Sequence, residues 1–289
     1  MFEGLTRRVA LGLGGVGLAV GGVLAGARRA ARGVPLSPLH GDRYVGPAWP
    51  ERGGLRGDGV PGEMGSLDDY ARPGFDPGAV HPDVRALYER TASFGMTVDA
   101  EWHRPYALGA RLASRVTSRI EQLNLPGPGE DRKRVSSDLF ALADAAAADD
   151  PREDPRLWVR TDDETGEAVF VAVYASYVDA GERFVDIAVP LPGANLSTVL
   201  RMEHDGAGVA LTTDCPDGGL YLHTAAGAFR LPAAQRFRVL PADDLGSSFD
   251  GFEEFGDEAD VLAEQRISLL GLPLVTVRYA AAGTPESAE

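Results

Sequence analysis

The side chains that could do chemistry in this sequence are few: five histidines, one cysteine, and charges in which Lys133 is the only lysine beside 27 arginines. Cys215 stands alone, so it can form neither an intramolecular disulfide nor a cysteine-rich metal site, and it reads as a small loop or core residue. His40, His81, His103, His204 and His223 show no metal-binding spacing on a helix, and there is no nucleophile elbow or lysine-bearing phosphate loop. No catalytic, cofactor-binding or metal-ligating residue is therefore assigned, and no cofactor is expected. One acid–base constellation remains, Glu101-Trp102-His103 converging in space with His223, which is the basis of a hydrolase reading. The bland alternative makes His103 a helix cap and His223 an ordinary strand residue. Phe170, Tyr174, Tyr177, Tyr221 and Phe229 fall in strands beside inward-facing aliphatics. They line either a cavity for an apolar ligand or a filled core.

The elements that must position these residues follow from periodicity. His81-Pro82-Asp83 marks a helix start, and Val84, Leu87, Tyr88 and Thr91 then share one helical face. A second helix is expected over about 105–123 with Leu108, Leu112, Val116, Ile120 and Leu123 buried, beside an arginine row at 111, 115 and 119 that reads as a solvated face. After an acidic, alanine-rich loop ending near Pro155 the period changes from 3.6 to 2. LWVRT, AVFVAVYASY, RFVDIAVP, LSTVLRME, VALTT, LYLHT, AFRLP and RFRVL read as eight short strands separated by turns. Residues 243–264 hold nine carboxylates and no base, which reads as a solvated loop, and a short helix and a final strand over 274–279 follow. The expected fold is α+β: a mainly antiparallel sheet of about eight strands, curled or barrel-like, with two packed N-terminal helices and one candidate transmembrane helix ahead of them.

The formal charge of -15 over 289 residues argues against a nucleic-acid partner. It is unevenly placed, because residues 1–34 carry five arginines and one acid. Between the arginine pairs, residues 9–27 contain no charged or hydrogen-bonding side chain, and as a helix they span about 28 Å. Residues 1–32 thus read as a membrane anchor, with GxxxG spacing at Gly17/Gly21 and Gly22/Gly26 that would allow self-association. A twin-arginine-like export signal, Thr6-Arg7-Arg8 with Ala25-Gly26-Ala27, is the alternative. The letters of a dinucleotide fingerprint, Gly12 to Gly17, lack the strand before them and the acid after them that the chemistry needs. Residues 33–78 contain 11 glycines and 7 prolines and read as a disordered linker. One globular domain is expected over 79–282 and a disordered tail over 283–289.

The ordered motifs HPDVRALYERT, EWHRPYALGARLASR, QLNLP, WVR, VFVAVY, DIAVPLPGANLSTVLRM, GLYLHT, FRLP and VTVRYAA resemble the soluble C-terminal region of the YndJ-like family of bacterial membrane proteins, over about 75–280. In that family the region follows several membrane helices, whereas a single candidate segment precedes it here. The resemblance implies a membrane-linked protein and carries over no catalytic residue. The expected function is a membrane-anchored protein with a soluble, non-enzymatic binding or structural domain, with membrane and a possible apolar ligand as partners. The alternatives are a lipid or other apolar-ligand binding protein and a histidine-based hydrolase.

Overall fold

Two-residue turns set the register of the long strands. At Ala180-Gly181 and again at Leu270-Gly271 both central residues have positive φ (49° and 83°, 53° and 76°), the geometry whose twist matches that of the strands it joins. The computed structural model describes residues 22–107, 109, 119, 121–243, 252, 255 and 259–284. Among them are thirteen strands: β1 (Arg56–Gly59), β2 (Phe94–Trp102), β3 (Lys133–Leu142), β4 (Glu153–Asp162), β5 (Ala168–Asp179), β6 (Glu182–Leu191), β7 (Ala194–Asp205), β8 (Gly208–Thr212), β9 (Gly219–Thr224), β10 (Gly227–Arg230), β11 (Ala233–Pro241), β12 (Val261–Leu269) and β13 (Leu272–Gly283).

Ten of these close into an antiparallel barrel in the order β7-β6-β5-β4-β3-β2-β13-β12-β11-β8, with β8 pairing back onto β7. The long strand β7 forks at this point: Arg201–Asp205 pair with β8, whereas Ala194–Val199 pair with β9. The β9–β10 hairpin therefore lies outside the closed ring, as does β1 on β3. The seam is β2 against β13, in register from Phe94↔Gly283 to Trp102↔Val275. Closure satisfies the backbone groups that an open sheet would leave at its two edges.

The curled sheet of about eight strands is thus corrected to a closed ring of ten with three additional strands. The eight segments read from alternation fall on β4 to β11, two of which lie outside the ring; the expected final strand is β13, but β2, β3 and β12, which complete the ring with it, are not among the expected strands. The pair of packed helices is also corrected. The helix Pro82–Glu89 does not lie on a sheet face; its Val84, Leu87 and Tyr88 join the cluster that fills the barrel. A barrel has no spare inner face for a helix layer, so a short helix is accommodated across an end. The second helix, over 105–123, lies mostly outside the described residues. No described helix is long and apolar enough to cross a membrane. Of the apolar run 9–27, residues 9–21 lie outside the described residues, and residues 22–30 are helical.

Residues 33–78 are a strap on the barrel wall, not a loose tether. Val45, Trp49 and Leu55 bury themselves against Leu157, Val159, Val171 and Val173, the outward-facing side chains of β4 and β5. Leu67, Tyr70 and Phe75 join the main core. A few large apolar anchors hold a glycine- and proline-rich chain that shows no periodicity. Beneath the strap Arg152 lies fully buried between Asp150 (2.8 Å) and Asp186 (2.6 Å). Asn195 Nδ2 donates to the Ser37 and Leu39 carbonyls, which ties the strap to β7.

Candidate functional site: a polar cluster in an apolar lumen

Because successive strand residues face opposite ways, β4 turns Trp158 and Arg160 into the barrel while Leu157 and Val159 meet the strap. The same parity sends Phe170 and Tyr174 inward from β5, Ile187 and Val189 from β6, and Ala263 and Tyr279 from β12 and β13. The inner wall encloses a cavity of ≈ 130 Å³, lined mainly by aliphatic and aromatic side chains. Its polar members include Glu63, Arg160, Thr198, Gln235 and Gln265.

The Arg160 guanidinium packs 3.6 Å above the Trp158 ring, with the Phe170 and Tyr279 rings 5.2 and 5.6 Å away. Its Nη2 donates to Tyr174 Oη at 3.1 Å. Among the described residues its Nε finds no acceptor, nor do Trp158 Nε1 and Tyr88 Oη. All three side chains are less than a tenth exposed and all line the cavity. No carboxylate among the described residues forms an ion pair with Arg160.

Glu63 is the acid of this lumen. Its backbone N–H donates to Thr91 Oγ1 (3.1 Å), and the preceding Gly62 carbonyl accepts from Arg156 Nη1 (2.8 Å). A Cβ at position 62 would meet the Glu89 backbone at 2.3 Å, so only glycine lets this segment pass so close to the end of the helix. Burial pushes the Glu63 carboxyl up to about 8, although Arg160 and then Arg156 pull it down. Burial thus favours the neutral carboxyl, and among the described residues Glu63 forms no ion pair with Arg160. Burial likewise raises the Tyr174 and Tyr88 phenols, which stay protonated donors.

A further stretch of the lumen wall is held by Gln122, which is fully buried. Its Nε2 donates to the Val171 and Pro190 carbonyls (2.8 and 2.9 Å), and its Oε1 accepts from the Val171 and Leu123 N–H groups (3.0 and 3.1 Å). Four bonds from one amide thus fix the segment that places Leu123 and Leu125 in the cavity wall.

Of the aromatic residues expected to line a cavity, Phe170 and Tyr174 do so. Tyr177 and Tyr221 instead pack outside the barrel with Phe184 under residues 31–36, and Phe229 sits half-buried on β10. The expected histidine pair is not brought together. His103 contacts Thr276 Oγ1 on β13 at 2.8 Å and lies 3.9 Å from Glu101, whereas His223 on β9 meets the Ser37 carbonyl at 2.9 Å and the His40 ring. His204 accepts from the Asp76 N–H, and His81 caps its helix by accepting from the Asp83 N–H. Cys215 is half-buried, and burial raises its thiol to about 11. No group of metal-ligating side chains occurs among the described residues.

Sequence reasoning missed Arg160, Glu63, Trp158 and Tyr88. A signal for the first was available: Trp158 and Arg160, two apart in a strand, must share a face, and the tryptophan favours the inner one.

No family model matches the chain, and no solved structure matches it. Among curated proteins it is similar to "Uncharacterized membrane protein YndJ" of Bacillus subtilis (strain 168), at 27% identity over 256 residues. The match covers 84% of this chain and 42% of that protein, so the chain spans less than half the length of its relative. An alignment of that extent makes the chain similar to YndJ over most of its own length.

Proposed function

We propose that this chain is a non-enzymatic binding protein, associated with membranes, whose barrel lumen takes up an apolar, lipid-like ligand. The observation that carries the reading is the mainly apolar cavity of ≈ 130 Å³ inside the ring. Protein interiors are packed to crystal-like density, and voids larger than a water molecule are few. Membrane association is supported by the description of the YndJ relative as a membrane protein. The hydrolase reading gains no support, because the two histidines it needs have separate partners.

The test is direct. Native mass spectrometry of the full chain, purified from cells without organic solvent, is expected to show an apolar species that is released on denaturation. The neutral dye N-phenyl-1-naphthylamine is expected to brighten on entering the delipidated barrel. Ala263→Phe projects a ring into the lumen and is expected to lower dye uptake at least tenfold while the far-ultraviolet spectrum stays that of the parent. A clean extract together with no dye uptake ends the reading.

A further inference from the structure

We propose that Arg160, with Trp158 and Tyr174 against it and Tyr88 on the wall of the same lumen, is the recognition site for an anionic headgroup, so that the ligand of the lumen is an acid with an apolar body, a carboxylic acid of the fatty-acid class. This rests on the lumen-binding reading and specifies its ligand. A guanidinium less than a tenth exposed, with no ion-pair partner among the described residues, is costly in a low-dielectric wall unless something else compensates it. Three donors converge on the same cavity without an acceptor: Arg160 Nε, Trp158 Nε1 and Tyr88 Oη. Three unpartnered donors, one of them on a fixed positive charge, ask for an acceptor that is itself negative. An alcohol or a hydrocarbon would leave the charge unanswered, and a cationic amphiphile would be repelled.

Glu63 is the acid of the same lumen, but it forms no ion pair with Arg160 among the described residues, and burial raises its carboxyl toward the neutral form. The aromatic faces around the guanidinium hold its plane in place before any ligand arrives. The aliphatic side chains of β6, β7 and β12 then line the path of the hydrocarbon body.

The experiment is a displacement series on the full-length, delipidated protein at pH 7, with N-phenyl-1-naphthylamine as reporter and octanoate, decanoate and dodecanoate set against the alcohols of equal length. The wild type is expected to prefer each acid over its alcohol at least tenfold. Arg160→Met, which keeps the length of the stem, is expected to bring that ratio close to one while retaining dye uptake, and Arg160→Lys to keep part of it. Tyr174→Phe is expected to lower the ratio without removing it, and it reads the same site should Arg160→Met fail to fold. Dye uptake with equal affinity for acid and alcohol, or a preference that survives in Arg160→Met, overturns the headgroup assignment and leaves lumen binding standing. No uptake of dye, acid or alcohol overturns both.

Discussion

Glu63 shares the lumen with Arg160, and the burial that raises its carboxyl has a consequence for stability. The unfolded chain sheds the Glu63 proton above about 4.5, whereas the folded protein holds it until about 8, so across that window the wild type loses stability as pH rises. Between pH 6.5 and 8 the loss attributable to this group is on the order of 1–2 kcal/mol. Urea denaturation at the two pH values is expected to show that difference in the wild type and to show it abolished in Glu63→Gln; parallel slopes in both proteins would refute it. Arg160→Met belongs to the same scale. Replacing an uncompensated buried charge by an apolar side chain of similar shape is expected to leave the melting temperature unchanged or raise it. Binding would then be lost without loss of fold. At this scale the sequence was half legible: Phe170 and Tyr174 stand out as strand aromatics, but an arginine in a strand reads by default as facing water. Only closure of the ring puts Arg160 inside.

Elements were legible where one face alternated cleanly and obscure where both faces were covered or a charge intervened. β5 and β6 announce themselves by their valines and alanines. β2 alternates well, from buried Phe94 to buried Ala100, yet it lies between two stretches of helical periodicity that claim the attention. β12 begins beneath an acid-rich loop and carries Glu264, which is 1% exposed, in its middle, so its polarity mimics a surface segment. The strap over 33–78 defeated the usual inference from glycine and proline because a handful of anchors such as Trp49 suffices when a ready-made wall exists to receive them. Gln122 shows how much one residue can hold an element. Gln122→Ala deprives two carbonyls and two N–H groups of their partner, and a loss of about 2–3 kcal/mol is expected. The same variant is expected to exchange dye at least severalfold faster, because Leu123 and Leu125 lose their support; stopped-flow displacement measures this. An unchanged exchange rate would mean that this segment does not control entry to the lumen.

For the whole molecule the decisive property is closure. A sheet of eight strands can stay open and solid, but ten strands in a ring leave an inside, and that inside is where a ligand reading begins. The seam between β2 and β13 maintains it. Val277 sits in the centre of that seam, opposite Ala100 on one side and Gln265 on the other. Val277→Pro removes a ladder N–H between two strands and is expected to cost at least about 3 kcal/mol, read as a fall in the urea midpoint or as loss of soluble protein. The seam also has a consequence in time. Phe94 must wait for Gly283, so while the chain is being synthesised the nascent sheet carries two unpaired margins and an uncovered apolar trough. Until β13 emerges, that trough is open along its length to whatever amphiphile lies nearby, and the final strand folds over it. Such a barrel can acquire its first occupant at birth, without ever having had to admit it through a finished wall.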